Sequence, residues 1–205
     1  MTFEETLARL FDRRILLCDE TVNDACVGRL RVGFINLNLL DSTRPIRFYI
    51  DVRSGDVDEA LRLVSTMDTI DAPIVGLVDG RCDSLGLALL QACDVRLATR
   101  FATFGIQKIS SSTSFRCSGH TIVEKYREYG AHLELLQKKL DRVIVGKREG
   151  AGLRSNQLME FYENQKAFFG EDALQLGFVD QVVDGNGFWA GDSVLIPSKI
   201  GFDIT

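Results

Sequence analysis

Histidine is scarce in this sequence: among its 205 residues only His120 and His132 carry an imidazole. Imidazole is the commonest general base near neutral pH, so few positions can take that role. The five cysteines are irregularly spaced and form no C-x-x-C pair, which argues against a zinc site. We expect reduced cysteines in a cytosol-like compartment, and neither a metal nor a cofactor.

An excess of positive charge and long apolar runs are also missing. The chain has 24 Lys and Arg against 29 Asp and Glu, for a net charge of -5. Binders of nucleic acids or anionic membranes usually carry a basic face, so we expect neither partner. No apolar stretch approaches the roughly 20 residues of a membrane span, and the N-terminus lacks the apolar centre of a signal peptide. A cytoplasmic protein, or one of an organelle stroma or matrix, is expected.

What the chain does contain is enough apolar sequence for a single core: 45% of its residues are apolar, and no internal repeat is visible. We therefore predict one domain, residues 1–205, with an irregular glycine-containing tail over residues 185–205.

Short apolar runs alternate with amphipathic segments along the first half of the chain. This alternation predicts an α/β fold with a mainly parallel sheet. The predicted strands are Arg14–Cys18, Ile46–Ile50, Ile74–Val78, Val95–Ala98 and the extended piece Thr103–Ile109. The predicted helices are Thr21–Leu40, Val57–Met67 with Asp56 as its cap, and one that begins near Ser84.

In the second half, a long helix follows a polar, serine-rich segment that predicts a loop. Apolar residues line one face of this helix, which favours packing against a partner, and we expect Leu133 and Leu136 at that interface. The predicted segments are the loop Ser110–Ser114, the helices Thr121–Leu140, Ser155–Phe168 and Glu171–Gly177, and the closing strand Phe178–Val183.

The segment GRCDSLG, residues 80–86, joins a predicted strand to a helix and contains Ser84. A serine at such a turn exposes its hydroxyl, and the helix N-terminus favours negative charge nearby. Ser84 is therefore a candidate nucleophile, although serine is also a common helix N-cap. The preceding Asp83 would disfavour an alkoxide if it pointed at Ser84. We expect it instead to point into the helix N-terminus and to stabilise the helix by about 0.3–1 kcal/mol.

The order of these motifs resembles the proteolytic subunits of the Clp (caseinolytic) protease family over roughly residues 14–184. Four segments carry the resemblance. In chain order, they are RRILL for the family's R-I-I-x-L and IRFYIDVRSG for I-x-L-Y-I-N-S-P-G-G. They continue with GRCDSLGL for G-x-A-A-S-M-G-A and DALQLGFVDQV for E-A-x-x-Y-G-L-I-D-x-V. The resemblance implies the Clp protease/crotonase-like fold of repeated β-α-β units, with a protruding handle helix in region 110–140. It also implies serine endopeptidase chemistry.

Carried over by position, the family's nucleophile falls on Ser84, and its oxyanion donors fall on the amides of Leu85 and Gly55. Arg53 and Ser54 depart from the family's proline and first glycine. A glycine allows a positive φ and a close backbone approach, so these departures put the oxyanion loop in doubt.

The family's catalytic histidine falls on Gln107, and its aspartate falls closest to Phe161. An amide cannot accept a proton at neutral pH, so Gln107 cannot be a general base. A register slip would be needed for Glu160 or Glu163 to replace the aspartate.

Two residues are candidate replacement bases: a displaced His120, or Lys108 in a serine–lysine pair. Lys108 would need desolvation to lower its pKa. The plainer interpretation places both at the surface, and His132 in a surface or assembly contact.

Three functions follow from the resemblance. The first is a catalytically impaired Clp-type subunit in a homo-oligomeric heptameric or double ring, with sister subunits and an ATPase unfoldase as possible partners. The second is an active peptidase with a rearranged triad. The third is an acyl-CoA-binding enzyme, because ACDVRLATRFATFG resembles the crotonase pattern A-C-D-I-R-I-A-x-x-x-A-x-F-G, although the crotonase loop S-A-G-x-D is absent.

Overall fold

The computed structural model describes residues 2–19, 21–110, 121–146, 155–164 and 167–183. The predicted tail, most of the serine-rich loop and His120 lie outside these residues.

Within the described residues, strands and helices alternate along the chain. The strands are β1 (Ile15–Cys18), β2 (Ile46–Ile50), β3 (Ile74–Val78), β4 (Arg81–Asp83), β5 (Val95–Thr99), β6 (Thr103–Gly105), β7 (Phe168–Phe169) and β8 (Gln181–Val183). The helices are α1 (Phe3–Asp12), α2 (Asp24–Leu40), α3 (Val57–Met67), α4 (Ser84–Gln91), α5 (Thr121–Val145), α6 (Ser155–Asn164) and α7 (Gly170–Gln175).

The main sheet has the strand order β1-β2-β3-β5-β8, and all of its strands are parallel. A smaller sheet has the order β4-β6-β7, in which β6 runs parallel to β4 and antiparallel to β7. This arrangement confirms the predicted α/β fold. Every residue of β3 is buried, as expected for a central parallel strand that is covered on both faces.

Alternate residues of the strands supply two apolar layers. On one face, β3 contributes Ile74 and Val78 to the main core, which packs against α2, α3 and α4. On the other face, Val75 and Leu77 belong to a smaller cluster that Leu10 of α1 joins at its edge. The period of two along a strand therefore places one sheet inside two apolar layers.

Three elements differ from the sequence predictions. Helix α1 was not predicted, although Thr2 and Glu5 form a capping box whose T-x-x-E spacing is visible in the sequence. Strand β4 was read as part of the turn before Ser84. Helix α6 ends at Asn164, so the predicted helix to Phe168 was too long. Phe168 instead pairs with β6 and stacks on a neighbouring aromatic ring.

A buried arginine organises the connection from α2 to β2. The guanidinium of Arg14 donates from Nε to the Pro45 carbonyl (3.1 Å) and from Nη1 to the Leu37 carbonyl (2.9 Å). Its Nη2 donates to the carbonyls of Asp41 (2.8 Å) and Arg44 (2.9 Å). Burial lowers the pKa of Arg14, against a smaller raising effect of Asp41. One side chain thus satisfies the end of a helix and the loop that follows it.

A second buried arginine holds the C-terminal strand. Arg96 pairs through Nη2 with Asp180 Oδ1 (2.8 Å), and its backbone N–H donates to Asp180 Oδ2 (2.8 Å). The side chain of Gln91, at the end of α4, accepts from Arg96 and donates to the Phe178 carbonyl (2.9 Å). These contacts join α4, β5 and β8.

Helix α5 begins where the sequence predicts it and continues to Val145. Its second half packs onto the rest of the protein through the buried residues Leu136, Leu140 and Ile144. The expectation that Leu136 faces a partner was therefore wrong, because that side chain is 5% exposed within its own chain. The first half of the helix is largely exposed.

We expect Arg14→Lys to lower the free energy of unfolding by about 2–4 kcal/mol, because lysine cannot reach four carbonyls and leaves buried acceptors unsatisfied. Urea denaturation measures this loss. Arg9→Lys, on the exposed face of α1, is the matched control and should change stability by less than about 0.5 kcal/mol. Equal effects of the two substitutions would contradict the role of Arg14.

Candidate active site

The candidate site lies where β4 turns into α4. Asp83 occupies the N-cap position, and Ser84 is the first helical residue, so the alternative interpretation of Ser84 as an N-cap was off by one position. Beside the turn is a cleft of about 150 Å³. The residues that line it are Arg53, Ser54, Gly55, Val57, Asp83, Ser84, Leu85, Gln107, Lys108, Ile109, Ser110 and Leu140.

The hydroxyl of Ser84 is engaged by the backbone of one residue. Ser84 Oγ donates to the carbonyl of Gln107 (3.0 Å), and the N–H of Gln107 donates back to Ser84 Oγ (2.8 Å). A serine nucleophile must pass its proton to a base. Here the proton is directed at a peptide carbonyl, which does not accept protons at neutral pH.

The reason for this contact lies in the smaller sheet. Strands β4 and β6 pair in parallel up to Asp83 and Gly105. The chain then enters α4 at Ser84, so no β4 backbone remains to pair with Gln107. The Ser84 hydroxyl, which both donates and accepts, takes the place of that missing backbone partner.

Lys108, the candidate replacement base that lies within the described residues, is not hydrogen-bonded to Ser84, whose hydroxyl contacts the Gln107 backbone. The side chain of Gln107 is exposed, and only its backbone reaches the hydroxyl. The Lys108 ammonium lies over the Tyr162 ring, 5.7 Å from its centroid. His132 Nε2 lies 3.6 Å from Asp58 Oδ2, between α5 and α3, in keeping with its expected surface position.

Gly55 occupies a backbone position that other residues rarely adopt. Its φ is +153°, and an added Cβ would lie 2.4 Å from the Val22 carbonyl oxygen. Val22 donates to the Ser54 carbonyl (3.1 Å) and accepts from Asp56 N–H (2.8 Å). In such a parallel bridge, the N–H of the residue between these two bonds points away from the partner strand. The Gly55 amide is therefore directed away from Val22.

Gly55 and Leu85 line the same cleft as Ser84. The Leu85 amide belongs to the first turn of α4, where backbone N–H groups have no intrahelical acceptor. Their role as oxyanion donors stays a prediction.

Asp83 does not cap α4. Its carboxylate pairs with Arg81 Nε at 2.9 Å, along the same strand, and makes no side-chain capping hydrogen bond. An added Cβ on Gly105 would lie 2.5 Å from Asp83 Oδ1, so the carboxylate covers that glycine closely. The expectation of a carboxylate pointing into the helix N-terminus was wrong, because Arg81 supplies a nearer partner.

Phe161, the residue that the resemblance puts closest to the family's aspartate, is apolar. Phe161 packs on the main core, with its ring centroid 5.3 Å from that of Phe168. Glu160 and Glu163 are exposed.

A partly buried polar network that the sequence did not suggest lies beside the cleft. Gln137 accepts from the Ile109 N–H (2.7 Å) and donates to Asp141 Oδ1 and to Tyr162 OH (2.7 Å each). The hydroxyl of Tyr162 donates to the same Asp141 oxygen, and burial, followed by this bond, raises the pKa of Tyr162. The i,i+4 spacing of Gln137 and Asp141 was the available signal. The network fixes the backbone after β6 at Ile109, two residues beyond the contact with Ser84.

Among the described residues, no group of three or more His, Cys, Asp or Glu side chains could hold a metal ion. No described helix is both long and apolar enough to cross a membrane.

The fold and the serine turn define an α/β protein with a mainly parallel sheet and a serine at a strand-to-helix turn, and comparison with known proteins gives the family. The Clp protease family model matches residues 1–186. The chain is 23% identical to an ATP-dependent Clp protease proteolytic subunit of Streptococcus pyogenes serotype M5 (strain Manfredo), over 87% of this chain and 89% of that protein. It is 25% identical to one from Streptococcus suis (strain 98HAH33), over 86% and 88%. The chain belongs to the Clp protease family.

We expect Gly55→Ala to destabilise the protein by about 2 kcal/mol or more, because both φ and the contact with Val22 exclude a side chain. Gly28→Ala is the matched control: it lies inside α2 with no atom within 4 Å of an added Cβ. This change should stabilise the protein by about 0.5–1 kcal/mol. Thermal and urea unfolding measure both, and a tolerated Gly55→Ala would refute the close approach.

Proposed function

We propose that this chain is a catalytically impaired Clp-type subunit that serves as a structural or regulatory member of a ring-shaped, cytoplasmic, protease-like assembly. The observation that carries the impairment is the double hydrogen bond between the Ser84 hydroxyl and the Gln107 backbone. Ser84 is 9% exposed and pairs with a peptide group instead of a base.

Two further features support impaired catalysis. By the resemblance, Gln107 supplies an amide at the family's histidine position, and Phe161 supplies a partly buried ring near its aspartate position. Triad members act as a unit, so restoring one of them recovers little activity while another is missing.

The alternative of a rearranged triad requires a base that displaces the Gln107 backbone. Lys108 is held over Tyr162 and is exposed, which opposes the desolvation that an amine base needs. The acyl-CoA alternative predicts saturable CoA binding, which calorimetry measures; such binding would replace our proposal.

We expect the wild-type chain to cleave casein or small fluorogenic peptides no faster than Ser84→Ala, because the serine proton is directed at a carbonyl and not at a base. A fluorophosphonate probe should leave Ser84 unlabelled for the same reason. The Streptococcus pyogenes relative, assayed in parallel, is the positive control. Hydrolysis that disappears in Ser84→Ala, or an adduct mapped to Ser84, would overturn the proposal.

Gln107→His should leave activity at the Ser84→Ala background. The substituted side chain starts from an exposed position, while the backbone bonds that occupy the hydroxyl do not depend on the side chain. Peptide hydrolysis and probe labelling measure this. Strong recovery in this single variant would mean that the missing imidazole alone is responsible.

The assembly part of the proposal rests on α5. The first half of α5 exposes Val123 at 58%, and Leu135 is 51% exposed next to the buried Leu136. Exposed apolar side chains on a long helix that is otherwise charged are typical of an interface. A homo-oligomer through this helix would cover them, and sister subunits or an ATPase are further possible partners.

We expect a solution mass several times the 22.9 kDa of one chain. Leu135→Asp should shift this mass toward the monomer while the circular dichroism spectrum is kept, because the charge is buried only in the assembly. The neighbouring Leu136→Asp should unfold the protomer instead. Light scattering measures the mass. A wild-type chain that stays monomeric at micromolar concentration contradicts the proposal.

A further inference from the structure

Two cysteine sulfurs lie in contact at the edge of the main sheet. Sγ of Cys18, the last residue of β1, is 3.9 Å from Sγ of Cys26, in the first turn of α2. Both side chains are buried, at 0% and 1% exposure. The contact joins a strand end to the start of the following helix.

The segment between these cysteines holds one wall of the cleft. Val22 lies inside it, and its two backbone bonds, to Ser54 and Asp56, fix the position of Gly55. Asn23 caps α2 by accepting from the Cys26 N–H (2.9 Å). Any bond that closed residues 18–26 into a loop would therefore restrain the strand pairing on which Gly55 depends.

We propose that Cys18 and Cys26 form a reversible redox pair, oxidised to an intramolecular disulfide by small-molecule disulfides. This site is separate from the serine chemistry and stands or falls independently of the proposed function. An S–S bond is about 2.05 Å long, so the two sulfurs must approach by roughly 1.9 Å from their present contact. Rotation about the two Cα–Cβ bonds moves sulfur atoms over this range.

The exchange runs in two balanced steps. The thiolate of one cysteine attacks a small-molecule disulfide, forms a mixed disulfide and releases one small thiolate. The second cysteine, once deprotonated, attacks the protein sulfur of that mixed disulfide and releases the second small thiolate. Two electrons pass from the protein to the oxidant, and the two protons end on the released thiols.

Access to the buried sulfurs requires local opening of the connecting segment. Asp19, Thr21 and Asp24 in this segment are exposed, so the segment lies at the surface, where local opening costs less than global unfolding. The other buried cysteines in the described residues are Cys82, in β4, and Cys93, just after α4, and both pack in the main core.

The sequence supplies a test with an internal control. Trypsin cleaves after Arg14 and Arg29, so Cys18 and Cys26 fall in one peptide, and cleavage after Arg81 and Arg96 places Cys82 and Cys93 in another. The folded Cys117→Ser protein is treated with oxidised glutathione. It is then denatured in the presence of iodoacetamide, which alkylates the remaining thiols, and digested with trypsin. We expect the first peptide without alkyl groups and about 2 Da lighter than its dithiol form. The second peptide should carry two alkyl groups.

The consequence for the cleft wall has its own measurement. Oxidation should slow hydrogen exchange at the amides of Val22 and Asp56 by about fivefold or more, because loop closure opposes opening. Cys18→Ser, which cannot form the bond, should show no slowing under the same oxidant.

Two results overturn the proposal. The first is full alkylation of the Cys18–Cys26 peptide from the folded protein, under an oxidant exposure that does form the disulfide in a denatured control sample. The second is a mixed glutathione adduct as the only product. Both readings come from protein with Cys18 and Cys26 intact, so a folding defect in the serine variant leaves the test decisive. Subsequent dithiothreitol treatment must restore both alkylation sites, or the modification is not reversible.

Discussion

One hydroxyl group determines both the shape and the chemistry of the cleft. Ser84 ends the pairing of β4 with β6, and its Oγ satisfies the N–H and the carbonyl of Gln107 after the β4 backbone has turned away. Without this hydroxyl, the N–H and the carbonyl of Gln107 would lack hydrogen-bond partners at a partly buried strand end. Leaving them unsatisfied would cost more free energy than using the hydroxyl as their partner. The same two bonds direct the serine proton at a carbonyl, so the contact that completes the sheet opposes nucleophilic chemistry.

The segment that carries Gln107 makes a second set of contacts, at Ile109. The N–H of Ile109 donates to Gln137, which in turn donates to Asp141 and Tyr162. This network connects α5 and α6 to the segment after β6, close to where the family has its aspartate. Under our proposal, the departure from the peptidase site therefore extends beyond one missing histidine. The polar network that positions Ile109 lies beside the rings of Phe161 and Phe168. Under our proposal, a peptidase would instead have a residue here that orients its base.

The opposite wall depends on a different constraint. Gly55 approaches Val22 so closely that no side chain fits, and Val22 lies between two cysteines whose sulfurs touch. The segment of residues 18–26 thus both fixes the backbone at Gly55, the predicted oxyanion position, and carries the two proposed redox cysteines. A covalent change at the sulfurs would act on the cleft through the Val22 bridge, with no contact to Ser84 needed.

Local patterns in the sequence were sufficient for the parallel strands β1, β2, β3 and β5, because apolar runs between amphipathic helices have few other packings. They also placed Ser84 at its turn, whereas the assignment of Gln107 to the family's histidine position stays a prediction. The order of the motifs along the chain was sufficient to predict the family. Tertiary structure alone decided that Arg81 pairs with Asp83, that Leu136 is internal while Leu135 is not, and that the Gln107 backbone occupies the serine hydroxyl. The last contact joins residues 23 positions apart. It exists because the end of β4 meets the extension of β6, and no spacing within either segment records that meeting.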